Sequence, residues 1–284
     1  MRAGVVSLFL VFNSVCIVSC EERIFMCELL GLCFNKEVTV QLAFSGLKAG
    51  ATDNPDGWGV GWYNEYGTQV IKEARPVDRS RLAKSFLEDL GARSRIFVSH
   101  IRRATAGEAG YVNTHPFYRR FDNKTWVFAH NGTIDFDQLI FPTGEFIPIG
   151  TTDSELIFCS LLSWLKHHEL RLADRNDFIL LHEKLREINR LGELNLIFSD
   201  GTHLFAYHDI SGYVGLHFLL RQAPYEVVRL RGQYLTINLA EIIEPDERGY
   251  LVASEPLSDE NWISFKQGQL LVFFEGNPIF MSEK

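Results

Sequence analysis

Cysteine, basic charge and long apolar runs are all scarce in this sequence. Of its five cysteines, Cys16 and Cys20 lie in the N-terminal segment, and the other three have the spacing of neither a disulfide framework nor a zinc site. A reducing, cytoplasmic location fits this pattern best. No apolar run is long enough for a transmembrane helix. The net charge of −8 argues against a nucleic acid or an anionic membrane surface as a partner.

Linkers and repeats are also lacking. At 284 residues, 46% hydrophobic and 23% charged, the chain has the composition of a globular protein with ample material for a core. No repeat, low-complexity tract or linker rich in proline and glycine divides it. We therefore expect a single domain.

The N-terminal segment allows two interpretations. Val5–Cys20 is an apolar block followed by polar residues, which is the outline of a secretory signal and would mean export. The alternative is that translation starts at Met26. Cleavage near the end of the apolar block would leave several residues ahead of Cys27. We expect residues 1–26 to be a leader or a mis-assigned start that the active protein lacks, and residues 27–284 to form the domain.

The dipeptide Met26-Cys27 is the most informative feature that is present. If Met26 is removed, Cys27 has a free α-amino group, whose ordinary pKa of about 7.7–8.0 suits proton transfer near neutral pH. The thiol is then a nucleophile with its own general base, as in enzymes with an N-terminal threonine. The alternative is a buried structural cysteine on an apolar strand.

Arg102 follows an apolar strand in the run Ser99–Thr105. Strand alternation places His100 and Arg102 on one face and Ile101 on the other. An arginine at the end of a buried strand can hold a carboxylate through two parallel hydrogen bonds. A surface ion pair is the alternative.

Asn131-Gly132 lies between two apolar runs, which is a hairpin signature. The same bend can aim the asparagine amide and the glycine N–H at one oxygen and so form an oxyanion hole. Asp153 opens a predicted helix, where Asp153 or Thr152 can serve as the N-cap. Asp153 can instead bind the amino group of an amino acid, so that Asp153 and Arg102 would recognise both charges of a zwitterion.

The glycine-rich run Asp56–Trp62 includes Trp58 and Gly59. It is either a tight turn leading into a strand, where backbones approach closely, or one wall of a small polar pocket. Three histidines, His100, His115 and His130, have no metal-ligand spacing. We interpret them as hydrogen-bonded scaffold for the pocket and expect no metal.

The order of elements predicts an α+β fold with mainly antiparallel sheets covered by helices, because strands are followed by two helices and then by strands. The predicted helices are Val38–Leu47, Arg81–Leu90, Ser154–His167 and Phe178–Leu191. The predicted strands are Cys27–Phe34, Gly59–Tyr63, Gln69–Lys72, Ile96–Ile101, Trp126–Ala129, Leu194–Phe198, His203–Tyr207, Gly215–Leu220, Tyr234–Ile237, Tyr250–Ala253 and Gln269–Phe274.

Taken in order, these motifs resemble the class-II glutamine amidotransferases, a branch of the N-terminal nucleophile hydrolases. The start of the chain is similar to that of a stand-alone subfamily that includes the ergothioneine-pathway γ-glutamyl amidase. The motifs are Met26-Cys27-Glu28-Leu29-Leu30-Gly31, Asp56-Gly57-Trp58-Gly59, His100-Ile101-Arg102-Arg103-Ala104-Thr105, Asn113-Thr114-His115-Pro116, His130-Asn131-Gly132 and Thr152-Asp153-Ser154-Glu155.

The resemblance implies a four-layer αββα sandwich and assigns roles to single residues. Cys27 would be the nucleophile and its α-amine the base, Arg102 would hold the substrate α-carboxylate and Asp153 its α-amino group. Asn131 and Gly132 would stabilise the oxyanion. In addition, Thr105 matches a threonine beside the glutamine pocket, and His115 matches a structural histidine. The chain departs from synthase-linked members at Ala106, where they often carry histidine, and at Arg103, where they carry an aromatic residue.

The sequence thus predicts hydrolysis of the γ-amide of glutamine or of a γ-glutamyl compound through a Cys27 thioester, without a cofactor. Ammonia could pass to a separate synthase chain, or a larger amine could leave from a free-standing hydrolase. The alternative from another functional class is a catalytically silent binding or scaffold subunit of a larger complex.

Overall fold

The computed structural model describes residues 27–50, 54–88, 91–103, 108–135, 144–232 and 236–283. Strands contain more of these residues than helices do. The strands are β1 (Glu28–Thr39), β2 (Trp58–Asn64), β3 (Gly67–Glu73), β4 (Arg93–Ile101), β5 (Phe117–Phe121), β6 (Lys124–Asn131), β7 (Asn195–Ser199), β8 (His203–Tyr207), β9 (His217–Arg221), β10 (Val227–Arg229), β11 (Thr236–Asn238), β12 (Gly249–Ala253), β13 (Ile263–Ser264), β14 (Leu270–Phe274) and β15 (Asn277–Met281).

Two large antiparallel sheets carry the fold. The first has seven strands in the order β13-β9-β12-β1-β4-β2-β3, and the second has six in the order β15-β14-β8-β7-β6-β5. β10 and β11 form a separate ribbon. Because β1 is central and antiparallel to β4, the start of β1 lies beside the end of β4, with Glu28 opposite Ile101.

Four α-helices complete the layers: α1 (Gln41–Gly50), α2 (Arg81–Glu88), α3 (Asp153–His167) and α4 (Arg175–Asn189). One core cluster joins the first sheet to α1 and α2, a second joins the second sheet to α3 and α4, and a third fills the space between the sheets. The order of layers is therefore helix, sheet, sheet, helix. No helix in the described part of the chain is long and apolar enough to span a membrane.

β1 shows how the sequence builds two of these cores at once. Leu30 and Leu32 face the helix-covered core, whereas Leu29 and Cys33 face the layer between the sheets. This alternation is the two-residue period of a strand that is buried on both faces. A Cβ on Gly31 would lie 2.8 Å from the Ile197 side chain, so a glycine here lets the sheets pack closely.

The predicted α+β class and the four-layer sandwich are confirmed. The predicted Ser154–His167 helix agrees with α3 (Asp153–His167) within one residue, whereas α4 (Arg175–Asn189) begins three residues and ends two residues before the predicted Phe178–Leu191. The predicted start of the first helix at Val38 is wrong, because β1 continues through a bulge to Thr39. Residues 89–90 of the predicted Arg81–Leu90 helix lie outside the described residues, as do residues 234–235.

The prediction missed the edge strands β5 and β15. β5 reads Phe-Tyr-Arg-Arg-Phe, and its two arginines break the apolar run. β15 contains Pro278, which strands tolerate at an edge. Both are edge strands of the second sheet. An edge strand has one neighbouring strand instead of two, so its apolar sequence pattern is weaker.

Candidate active site

Cys27 immediately precedes β1 and is half-buried. Its Sγ donates to the carbonyl oxygen of Arg103 at 3.0 Å and accepts from the Arg103 backbone N–H at 3.1 Å. The antiparallel pairing of β1 and β4 produces this contact, because it brings the residues before Glu28 to those after Ile101. The thiol is thus fixed by the backbone of the segment that follows β4.

The electrostatic surroundings keep this thiol protonated. Burial raises the pKa of Cys27 to about 11, although the Arg103 hydrogen bond and the charge of Arg102 act to lower it. The negative charges of Glu28 and Asp56 add smaller upward shifts to the pKa. A cysteine attacks as its thiolate, so Cys27 could act as a nucleophile near neutral pH only if a base removed the thiol proton.

Arg102 is held in place through its backbone and is only 3% exposed. Its N–H donates to the Gly57 carbonyl oxygen at 2.7 Å, and its own carbonyl oxygen accepts from the Asp56 N–H at 3.2 Å. Burial lowers the pKa of the guanidinium, whereas the charges of Cys27, Asp56 and Asp153 act to raise it. The guanidinium and these three groups therefore share one electrostatic environment.

The glycine-rich run contacts this region through its backbone. The Trp58 side chain is fully buried on the other face of the sheet, where its ring centroid lies 5.8 Å from that of Phe44. A Cβ on Gly59 would lie 2.3 Å from the His115 carbonyl oxygen. Close backbone approach is therefore the reason for a glycine at position 59.

Asn131 ends β6 beside Cys27. Its Nδ2 donates to the carbonyl oxygen of Cys27 at 2.7 Å. Gly132 follows with φ of +152°, and a Cβ there would lie 2.1 Å from the Glu193 carbonyl oxygen. The bend thus requires glycine on both conformational and steric grounds.

Asp153 links the start of α3 to the segment after this bend. One carboxylate oxygen accepts from the Ile134 N–H at 2.8 Å, and the other accepts from the Ser154 N–H at 2.8 Å. Thr152, not Asp153, is the N-cap, since its hydroxyl accepts from the Glu155 N–H at 3.2 Å. The structure therefore decides between the two caps that the sequence left open.

The three predicted scaffold histidines have different surroundings. His130 Nε2 lies 3.1 Å from the Glu193 carbonyl oxygen and Nδ1 lies 2.9 Å from Ser154 Oγ. A carbonyl only accepts, so Nε2 carries the proton and Nδ1 accepts from the hydroxyl. The rings of His100 and His115 contact each other with centroids 4.3 Å apart. No hydrogen-bond partner for their ring nitrogens occurs among the described residues.

Burial also keeps these imidazoles neutral. It lowers the pKa of His100 to about 3, and the charge of Arg102 adds to this effect. The pKa of His115 is likewise far below its ordinary value because of burial. Burial lowers the pKa of His130 as well, against the opposing charge of Asp153. The sequence interpretation expected hydrogen bonds at all three rings. Among the described residues, His130 forms them and His100 and His115 do not.

The structure brings together most of the residues that the sequence singled out. We use the term Cys27 site for Cys27, Arg102, Asn131, Gly132 and Asp153. Thr105, Ala106 and the N-terminal segment lie outside the described residues. Within the described ranges, no group of three or more His, Cys, Asp or Glu side chains could hold a metal ion.

Sequence reasoning missed the ion pair next to Cys27. The buried Glu28 carboxylate accepts from Arg231 Nη1 at 3.0 Å, and Arg231 also pairs with Glu255. Burial raises the pKa of Glu28 to about 7, although Arg231 opposes the shift. Ser254 was missed too, and its hydroxyl accepts from the Leu29 N–H at 2.9 Å. These partners are separated from β1 by more than 200 residues, so no local pattern points to them.

Relatives by sequence come from archaea and bacteria. The chain is 41% identical over 260 residues to an uncharacterized protein of Methanocaldococcus jannaschii, a match that covers 91% of this chain and 72% of the relative. It is 33% identical over 260 residues to an Escherichia coli protein named "Putative glutamine amidotransferase YafJ", covering 89% of this chain and 100% of that protein.

Solved structures show the same architecture. A protein from Pseudomonas aeruginosa PA01, described as a predicted glutamine amidotransferase, matches with a TM-score of 0.66 and 27% identity over 89% of this chain and 100% of that chain. Glutamine phosphoribosylpyrophosphate amidotransferase from B. subtilis matches with a TM-score of 0.56 over 90% of this chain and 49% of that chain. At 17% identity the second likeness shows the fold alone.

The family assignment rests on nearly the whole described chain. The sequence profile of the class-II glutamine amidotransferases matches residues 26–284. Its members act on the amide of glutamine, and the layered antiparallel sheets described above are those of the N-terminal nucleophile hydrolases. This chain therefore belongs to the class-II glutamine amidotransferases.

Proposed function

We propose that this protein hydrolyses the γ-amide of glutamine, or of a γ-glutamyl compound, through a thioester on Cys27. The observation that carries the proposal is the position of the Cys27 thiol. It is hydrogen-bonded to the backbone next to Arg102, and its own carbonyl accepts from the Asn131 amide. Their closeness supports the proposed roles of Cys27 as nucleophile, Arg102 as anion-binding side chain and Asn131 as oxyanion donor.

Two charged side chains suit the two ends of an amino acid. Arg102 is buried and positively charged, and it can hold the substrate α-carboxylate. Asp153 is 4% exposed and carries the opposite charge, which suits the α-amino group. A substrate held at both ends would extend its side chain toward Cys27, and such fixed positioning lowers the entropic part of the barrier.

The base in this proposal is the α-amine of Cys27 in a mature chain that begins at this residue. Burial raises the pKa of the thiol to about 11, so a base must remove its proton. The neighbouring buried histidine, His100, has a pKa of about 3 and is a poor base near neutral pH. An uncapped amine on the same residue lies within reach of its own sulfur.

The proposed reaction has two steps, formation of the thioester and its hydrolysis. The amine takes the thiol proton as the sulfur attacks the γ-carbonyl carbon, and the negative oxygen is stabilised by the Asn131 amide and the Gly132 N–H. The tetrahedral intermediate collapses to a thioester as the amine returns the proton to the departing ammonia or amine. Water, deprotonated by the same amine, then attacks the thioester and releases glutamate and the thiol.

Asn131 has the capacity for this role. One hydrogen of its Nδ2 is used in the bond to the Cys27 carbonyl, which leaves the second for a substrate oxygen. Removing one oxyanion donor from an enzyme typically costs about 3–4 kcal/mol of barrier stabilisation.

The experiment measures glutamate release from glutamine, glutathione and γ-glutamyl amides by protein that begins at Cys27. Cys27→Ala should lower release by roughly a thousandfold or more, because it removes the nucleophile. Cys33→Ala is the matched control, since Cys33 lies on β1, the strand that Cys27 precedes, within the apolar core. Retained activity in Cys27→Ala would contradict the proposal. Release of ammonia from glutamine alone would identify a glutaminase, and release of an amine from a conjugate would identify the larger leaving group.

A further inference from the structure

A cavity of about 690 Å³ opens where edge strands of the two sheets lie side by side. β3 is the last strand of the first sheet and β5 the last strand of the second. We call this cavity the edge cavity, and the lining residues used here are Val70, Lys72, Tyr111, Phe117, Tyr118 and Arg120. None of the residues lining it belongs to the Cys27 site.

Lys72 is a buried cation in the wall of this cavity. Only 8% of the residue is exposed. Its Nζ donates to the Thr114 carbonyl oxygen at 2.7 Å and lies 3.5 Å from the Pro116 carbonyl oxygen. Within the described ranges it forms no ion pair. Burial lowers its pKa to about 8, an effect that the charge of Glu155 opposes and the charge of Arg119 increases. Lys72 therefore remains mostly charged at neutral pH, and a buried charge that forms no ion pair is costly.

The carboxylate that lines the cavity is already neutralised. Glu155 pairs with Arg119, and its other oxygen accepts from the Gly150 N–H at 2.6 Å. Arg120 is exposed on the same strand as Arg119 and has no ion-pair partner in the described part of the chain. The cavity therefore carries two cations in excess, on a chain whose net charge is −8.

The remaining lining is aromatic and aliphatic. The Nζ of Lys72 lies 4.9 Å from the ring centroid of Tyr111 and 5.3 Å from that of Phe117. Tyr111 and Tyr118 are largely exposed although both are large and partly apolar. An apolar wall with a few placed charges is the usual composition of a small-molecule site.

We propose that the edge cavity binds a small carboxylate with a flat apolar body. The carboxylate pairs with Lys72 and Arg120, which supplies the counter-ion that the buried lysine lacks. The flat body lies against Tyr111 and Tyr118 and covers their exposed rings. The site is separate from the Cys27 site, because the two share no residue. The ring of His115 contacts Phe117 of the edge cavity on one side and the ring of His100 on the other.

The test measures binding of three probes by isothermal titration calorimetry. The probes are 3-phenylpropionate, its neutral analogue 3-phenylpropanamide, and acetate. We expect the acid to bind about tenfold more tightly than the amide, since hydrogen bonds between charged groups are stronger than those to a neutral group. Acetate should bind more weakly than phenylpropionate because it lacks the flat body. Equal binding of acid and amide, or no binding of the acid at about 10 mM, would overturn the proposal.

Variants locate the bound probe. Lys72→Met should weaken binding of the acid about tenfold and Arg120→Gln severalfold, while Arg81→Gln, an exposed change on α2, should have no effect. Thermal unfolding checks that each variant folds, and Arg120 lies on the surface, so its variant decides the matter if Lys72→Met does not fold. Unchanged binding in the folded variants would overturn the proposal.

A competition experiment separates the two sites. The Cys27→Ala variant should bind 3-phenylpropionate as the parent protein does, and saturating glutamate should not displace it. Displacement by glutamate would assign the probe to the Cys27 site and would contradict a separate site. Because the readout is binding, failure of the proposed glutaminase activity would leave this result unaffected.

Discussion

The Cys27 site and the edge cavity both contain buried polar side chains at the layer between the sheets, but these side chains are satisfied in different ways. At the Cys27 site the protein itself supplies the partners, since the thiol bonds to Arg103 and the Asp153 carboxylate to Ile134 and Ser154. In the edge cavity, the hydrogen bonds of Lys72 among the described residues go to carbonyl oxygens, and none of its contacts there is an ion pair.

This difference indicates two kinds of site. Groups fixed by their own protein are held in one geometry, which suits a reaction that needs exact placement of charge. A buried cation without a counter-ion destabilises the free protein, and a ligand that supplies the counter-ion would recover that energy. Substitutions at the Cys27 site should therefore lower activity, whereas substitutions in the edge cavity should raise stability.

Among the substitutions that compare the two sites, the largest effect is expected for Gly132→Ala. The new Cβ would lie 2.1 Å from the Glu193 carbonyl oxygen, at a φ of +152°, so the bend that carries Asn131 must move. We expect activity to fall about a hundredfold or more and stability by about 3 kcal/mol. Glutaminase assays and chemical denaturation measure the two losses.

Gly67→Ala is the matched control for Gly132→Ala. Gly67 also has a positive φ, +100°, but a Cβ there meets no atom within 4 Å. Gly67→Ala should lower stability through backbone strain alone, because it causes no steric clash. It should leave activity unchanged. If the two variants behave alike, the close contact at Gly132 is not what fixes the Cys27 site.

The next effect is expected for Asp153→Asn. An asparagine retains an oxygen for the Ile134 N–H but loses the negative charge, so the KM for glutamine should rise about tenfold to a hundredfold with a smaller change in kcat. Thr152→Ala is the control, since it removes the N-cap and should cost about 1 kcal/mol of stability without changing KM. An unchanged KM in Asp153→Asn would contradict the role of this carboxylate in substrate binding.

The smallest effect is expected for Lys72→Met. This substitution should raise stability, whereas Gly132→Ala should lower it. The pKa of Lys72 falls from 10.5 to about 8 on folding, so the unfolded chain binds more protons and stability should rise as pH increases from about 8 to 10.5. The variant lacks this pH dependence and should be more stable at pH 7 by about 1–2 kcal/mol, after the lost hydrogen bond to Thr114 is included.

Denaturation at pH 7 and pH 10 measures this change, with Lys84→Met on the exposed face of α2 as the control. Glutaminase activity should stay the same in both variants. A Lys72→Met protein that is less stable than the parent at pH 7 would show that the lysine is already compensated by contacts within the protein.

Local signals made much of the Cys27 site predictable. Asn131-Gly132 forms a bend, although not the hairpin that its signature indicates, because α3 and α4 separate β6 from β7 along the chain. The periodic apolar residues of α3 place Asp153 at a helix start. The alternation around Ile101 was also correct, because Ile101 lies in the helix-covered core while His100 contacts His115 on the other face. These features depend on residues that are close in sequence.

The sequence could not show what depends on distant strands. The edge cavity requires β3 and β5 to lie side by side. β5 was not predicted as a strand, because its two arginines interrupt the apolar pattern. The Glu28–Arg231 pair joins residues 203 positions apart. The choice between Thr152 and Asp153 as the cap depended on the contact of Asp153 with Ile134, which is a property of the packed structure.

The proposed mechanism depends on the α-amine of Cys27 as the base. Two chains that differ by one residue test this role. One begins at Cys27 and the other carries a single glycine before it, with both termini verified by intact mass. The account predicts glutamate release from the first, increasing as pH rises through about 7.7–8.0, and a loss of roughly a hundredfold or more in the second. Equal activity of the glycine-capped chain would contradict it.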